Sequence, residues 1–207
     1  MGRMLNKIKK DVLNLIPSIM AGVMISIGCL VNLSCDNKYV GAVFFSIALF
    51  TILVFKFQLF TGMVGYVRQI GVINLISVWI GNFIGILISV LLINHTRLNS
   101  FKTKAETIVQ VKNNDTYISL FILSIFCGLL MYIAVSIFNT KYTDVIKILA
   151  IFMCVIVFIL IGFEHCIANM FYYSFTGLTL DSVSKLMVMT IGNSIGANVL
   201  NVFKGAK

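Results

Sequence analysis

The chain has 207 residues, enough for one or two soluble domains, but 59% of them are hydrophobic and only 11% charged, with a mean hydropathy of +1.02. Soluble domains carry about a quarter charged residues, so the composition excludes them and points to an integral membrane protein. The net charge of +9 does not point to nucleic acid, because the basic residues sit at the ends and hinges of apolar segments without an aromatic-interleaved patch; they read as topogenic charge and contacts with anionic lipid.

A bilayer core of about 30 Å needs about 20 apolar residues of helix. Residues 12–35 are free of charge and form a first span, with Pro17 near its start, where proline is best tolerated. A second apolar region runs over 39–55, is interrupted at Lys56, and resumes as "FQLFTGMVGYV" up to Arg68. The third covers 69–94. The polar stretch "HTRLNSFKTKAETIVQVKNNDT" then divides the chain. Residues 117–139 make the fourth span, 148–180 an interrupted fifth, and 186–203 a short sixth. The expectation is an all-α membrane protein of six transmembrane helices in a single domain. Its halves are 1–97 and 117–207, joined by an extracellular loop over 98–116. The basic N-terminus leads into an apolar run too long for the h-region of a cleavable signal.

The halves echo each other. Ile80-Gly81-Asn82 through Gly85 and Ile191-Gly192-Asn193 through Gly196 share I-G-N-x-I-G, each in the third span of its half. In each half the middle span is the interrupted one. Three spans is an odd number, so the second repeat enters the membrane inverted, the architecture in which broken helices meet near the midplane and build a substrate site. The G-x-x-x-G in each copy has a sufficient packing explanation. Asn82 and Asn193 do not; a buried amide must find hydrogen-bond partners, which places both against the broken helices. Arg3, Lys7, Lys9 and Lys10 precede the first span and favour a cytoplasmic N-terminus. Six spans return Lys204 and Lys207 to that side, giving nine basic residues inside and six outside, with Lys56 left over.

Ionisable residues in a span are costly and persist where they face a cavity, a partner or a permeating ion. Lys56, Glu164 and His165 qualify, and the last two flank a helix break in the middle of a repeat. An enzyme is not indicated. "GFEHCIAN" lacks the second histidine of H-E-x-x-H, no G-x-S-x-G is present, and no acidic pair has acid–base spacing. Cys29, Cys35, Cys127, Cys154 and Cys166 lie in or beside apolar runs without metal spacing and read as reduced small hydrophobes; no cofactor or metal is expected. A neutral-solute channel with two Asn-Pro-Ala loops is excluded, since Pro17 is the only proline.

"GFEHCIANMF", "TIGNSIGA", "FFSIALFTILVFKFQLFTG" and "AGVMISIG" together resemble the fifth, sixth, second and first spans of the formate/nitrite transporter family. The resemblance implies a homopentamer of aquaporin-like protomers in the cytoplasmic membrane, each with its own pore for a small monovalent anion such as formate, nitrite or hydrosulfide. It implies that His165 is the central pore histidine, with Thr61 and Asn193 able to hydrogen-bond near it. Phe45 and Phe158 would form the outer constriction, Leu49 and Leu59 the inner one. Lys112 would draw anions into the outer vestibule, and Glu164, an acceptor, would hold broken-helix donors. An imidazole with a reference pKa of about 6.5 can offer charge or a proton near neutral pH. The anion would then cross beside an imidazolium, or as the neutral weak acid.

Departures from the family pattern fall at the first break, where Lys56, Phe57 and Gln58 replace two small residues and an acid and are candidate selectivity residues. Gly128 replaces an asparagine often found in the fourth span. The short C-terminal tail argues against a tail-based gate. The opposing reading is a non-conducting membrane scaffold or sensor, with Phe57 sealing the pore.

Overall fold

The structure is a computed structural model that describes residues 15–204, with side chains as far as residue 201. Every regular element among these residues is helical. Helix α1 (Ile16–Ser34) carries Pro17 in its first turn, where a missing N–H costs nothing. Asn37 caps α2 (Lys38–Val54), its side chain accepting the N–H groups of Tyr39 and Val40. The chain breaks after Val54 and resumes as α3 (Phe60–Met63), a 3-10 turn (Val64–Tyr66) and α4 (Val67–Ile70). Gly71 leads into α5 (Val72–Asn94), and a second 3-10 turn (Arg97–Phe101) into α6 (Lys102–Asn113). Thr116 caps α7 (Tyr117–Phe138), accepting from Ser119. Helix α8 (Asp144–Ile161) ends on Gly162, and α9 (Cys166–Thr176) and α10 (Leu180–Lys204) complete the chain.

Helices α1, α5, α7 and α8 are long and apolar enough to cross a membrane, and α2 is a shorter apolar helix. Three boundaries differ from the sequence expectation. The stretch over 98–116 contains α6, which buries Ala105 and Val109 and packs against α9. Its helicity comes from that tertiary contact, which a polar run does not announce. Lys104 on α6 reaches Asp36 at 2.9 Å, and this ammonium holds the Asp36 carboxyl below its ordinary range. Helix α10 begins at Leu180, ahead of the expected sixth span, because Asp181 and Lys185 neutralise each other one turn apart at 2.7 Å. The fifth region begins at Asp144, an acid in the first turn of α8 that suits the helix dipole. Arg3, Lys7, Lys9, Lys10 and Lys207 lie outside the described residues.

Two helix pairs hold the bundle together, α1 with α5 and α7 with α10. Each is a close backbone approach through glycine. A methyl group at Gly85 would overlap the Ile19 carbonyl, and one at Gly196 the Ile125 carbonyl. Gly128 sits directly on the backbone of Asn193, as Gly22 sits on that of Asn82. The glycine that departs from the family pattern is therefore a contact point of the α7–α10 pair.

Candidate functional site

The two helix breaks are built on one plan. At the first, Lys56 turns the chain with φ +59°, a left-handed conformation that disfavours a side chain. At the second, Gly162 does so with φ +85°. Each break exposes backbone groups that nothing in lipid could satisfy, and an asparagine one helix away takes them up. Asn82 accepts the Phe60 N–H at 2.9 Å and donates to the carbonyls of Ser18 and Gln58, both at 2.8 Å. Asn193 accepts the Cys166 N–H and donates to the carbonyls of Ser124 and Glu164, all at 2.8 Å. Both amides are fully buried. With both N–H groups so committed, Asn193 holds the break next to the imidazole and makes no hydrogen bond to the ring.

The breaks meet through one side-chain contact. Thr61, in the first turn of α3, places Oγ1 2.8 Å from Nε2 of His165. The other ring nitrogen, Nδ1, accepts the Ala168 N–H at 3.0 Å and so caps α9. A nitrogen that accepts a backbone N–H carries no proton, so this geometry puts the ring proton on Nε2. Nε2–H then donates to Thr61, leaving the threonine hydroxyl proton available to a third partner. The His165 ring lies nearly parallel to Phe158, with centroids 5.7 Å apart, and Phe158 meets Phe45 edge to face at 5.7 Å. Two aromatic rings from α2 and α8 thus stand beside the imidazole. Leu49 and Leu59 are buried in the same core.

Glu164 and Lys112 form an ion pair with oxygen–nitrogen distances of 2.8 and 2.6 Å, and both side chains are largely buried. Asn169 donates a further hydrogen bond to Glu164 at 2.7 Å. The Glu164 carboxylate therefore holds two side-chain donors, while its own backbone carbonyl is held by Asn193. Lys112, at the end of α6, delivers its charge to this buried carboxylate. The sequence reading missed Asn169; its only signal is an amide in the uncharged run just after His165.

The three replacements at the first break go separate ways. Lys56 is exposed and Phe57 stacks on the exposed Phe55 with centroids 5.7 Å apart. Gln58 is buried and accepts from the Ser18 hydroxyl at 3.0 Å. Gln58 and Leu59 occupy at the first break the places that Glu164 and His165 occupy at the second. Among the described residues no cluster of three or more His, Cys, Asp or Glu is arranged to hold a metal ion.

Comparison with known proteins places this arrangement. The family profile described as formate/nitrite transporter matches residues 3–204. The formate channel BtFdhC of Bacillus thuringiensis is 28% identical over 211 residues, covering 88% of this chain and 81% of that protein. The formate channel FocA of Haemophilus influenzae is 28% identical over 149 residues, covering 65% of this chain and 52% of that one. Among solved structures, an FNT family ion channel superposes with a TM-score of 0.80 at 21% identity over the whole of both chains. A pentameric formate channel with formate bound superposes with a TM-score of 0.77 at 24% identity over 96% of each.

Proposed function

The chain belongs to the formate/nitrite transporter family, and from that premise we propose that it is a homopentameric channel for small monovalent anions, proton-linked through His165. The observation that carries the reading is the contact between Thr61 and His165, which joins the two breaks beside Phe45 and Phe158. Its six spans form two inverted three-helix repeats in the cytoplasmic membrane, with both termini cytoplasmic and residues 98–116 outside.

An anion entering from outside meets the Lys112–Glu164 pair, whose lysine donates to both carboxylate oxygens and keeps its third N–H for the anion. It sheds water at Phe45 and Phe158, since an apolar constriction disfavours hydrated ions. Beside His165 it receives the Thr61 hydroxyl proton, and it takes Nε2–H as that donor turns from Thr61 to the anion. When the Ala168 cap opens, Nδ1 takes a proton from water on the outer side and the ring becomes imidazolium. The Nε2 proton then passes to formate, giving formic acid and an imidazole protonated on Nδ1; Nε2 takes a proton from water and Nδ1 releases its own, which restores the Ala168 cap. The neutral acid crosses Leu49 and Leu59 without carrying charge past them and releases its proton on the far side. Losing the cap leaves one buried N–H without a partner and costs about 1–3 kcal/mol. Gln58, Phe57 and Lys56 tune selectivity at the inner side. Nitrite and hydrosulfide, also conjugate bases of weak acids, fit the same chemistry.

Flux of formate, nitrite, hydrosulfide and glycerol into proteoliposomes at two pH values tests this. The expected result is saturable anion flux that rises as the outside is acidified, is lost in His165→Ala, and is absent for glycerol. No anion flux from a folded pentamer would overturn the reading and leave a scaffold.

A further inference from the structure

Away from His165, a groove of about 480 Å³ opens on the flank of the bundle between α5 and α10, floored by α3 and α4. That is within the range of about 300–1,000 Å³ of small-molecule sites, and larger than a packing defect. Its polar lining groups are already committed. Trp79 Nε1 donates to Thr190 Oγ1 at 3.2 Å, and that hydroxyl donates to the Leu186 carbonyl at 2.8 Å. Ser194 donates to the Thr190 carbonyl at 2.7 Å. Asn198 donates to the carbonyls of Val64 and Ser194 at 3.0 and 2.8 Å. No side-chain donor remains for a polar solute, so the groove presents carbon.

Its mouth faces outward from the bundle, where Val72 is 61% and Ile76 52% exposed. In the single protomer this apolar face is uncovered, as a face that lipid contacts would be. Arg68 stands next to the lining residue Val67, just before α5 begins, and is exposed with no ion pair among the described residues. From Val72 to Trp79 the helix rises about 10 Å, so the groove runs along α5 away from the end that Arg68 precedes in the chain. That polarity of charge and apolar surface matches an anionic amphiphile lying along the protein.

We propose that this groove binds an anionic phospholipid of the surrounding membrane, its acyl chain against Trp79 and Phe60 and its phosphate at Arg68. The site is independent of what crosses the pore. Phe60 precedes Thr61 and has its N–H fixed by Asn82, so the lipid supports the helix turn that carries the pore hydroxyl.

Trp79 is the only tryptophan of the chain, which makes its fluorescence a reporter of this groove alone. The full-length protein is placed in vesicles containing a small fraction of phosphatidylglycerol or phosphatidylcholine with brominated acyl chains, in the same unbrominated background. The expected result is that brominated phosphatidylglycerol quenches Trp79 with about fivefold higher apparent affinity, the preference one basic residue gives near an anionic surface. Arg68→Gln should bring the two lipids to parity without altering oligomeric state. Equal quenching by both lipids in the unaltered protein, or a preference that survives Arg68→Gln, would overturn the proposal. No quenching by either would mean that a second copy of the chain covers the groove, and would overturn it too.

Discussion

The first and second helix breaks share a scaffold and differ in chemistry. Asn82 and Asn193 make the same three hydrogen bonds to matching backbone groups. Between those fixed points, Gln58 faces a neutral serine where Glu164 faces Lys112. Leu59 packs in the core where His165 caps α9 and meets Thr61. Lys56 occupies the left-handed position that Gly162 fills in the other copy. A break in a membrane helix needs only the asparagine clamp. The charge, the imidazole and the hydroxyl contact are additions, concentrated at the second break, where function is proposed.

Removing a clamp breaks the shared part of the comparison and carries the largest effect. Asn193→Ala leaves the Cys166 N–H and the Glu164 carbonyl without partners in a buried site, while the Ser124 carbonyl keeps its bond within α7. At about 1–3 kcal/mol for each unsatisfied group, a loss of about 2–6 kcal/mol is expected, read as a fall in thermal stability. Asn82→Ala should cost a similar amount; a large inequality would deny that the two breaks are equivalent.

The charge difference can be erased in two steps. Lys112→Ala strands a buried carboxylate and is expected to cost about 3–5 kcal/mol. Adding Glu164→Gln, which gives the second break the neutral amide of the first, should restore most of it. A double-mutant cycle on thermal unfolding in detergent reads the coupling, and additive losses would mean that the pair is held for other reasons.

The smallest effect concerns the turn itself. Lys56→Gly relieves a side chain in the left-handed region and should stabilise the protein by about 1 kcal/mol, offset in part by the greater unfolded entropy of glycine. Gly162→Lys should shift stability the other way by a similar amount. Thermal melts of the two variants check the pair of signs, and equal signs would contradict it.

Much of this fold is legible in sequence because lipid excludes charge and unpaired backbone alike. The helices around residues 16–34, 72–94 and 117–138 follow from uncharged runs, and the breaks from Lys56, Glu164 and His165 interrupting such runs. Asn82 and Asn193 follow from the rule that a buried amide needs partners. What sequence hides is tertiary. Helix α6 is polar along most of its length and is fixed by Ala105 and Val109 against α9. Lys112 and Glu164 are 52 residues apart, and nothing in their local sequence says that the lysine reaches the carboxylate. The protonated edge of His165 depends on Ala168 and Thr61, and is set by geometry alone.

His165 both caps a helix and faces Thr61, and one substitution separates the two roles. Asparagine is a good capping residue and can accept the Ala168 N–H, but it has no imidazole. The decisive measurement is formate flux into proteoliposomes by His165→Asn, with thermal stability recorded on the same preparation. The account predicts stability close to that of the unaltered protein and flux at the level of protein-free liposomes. Full flux from His165→Asn would show that the imidazole serves only as a cap, and would contradict its place in the pore.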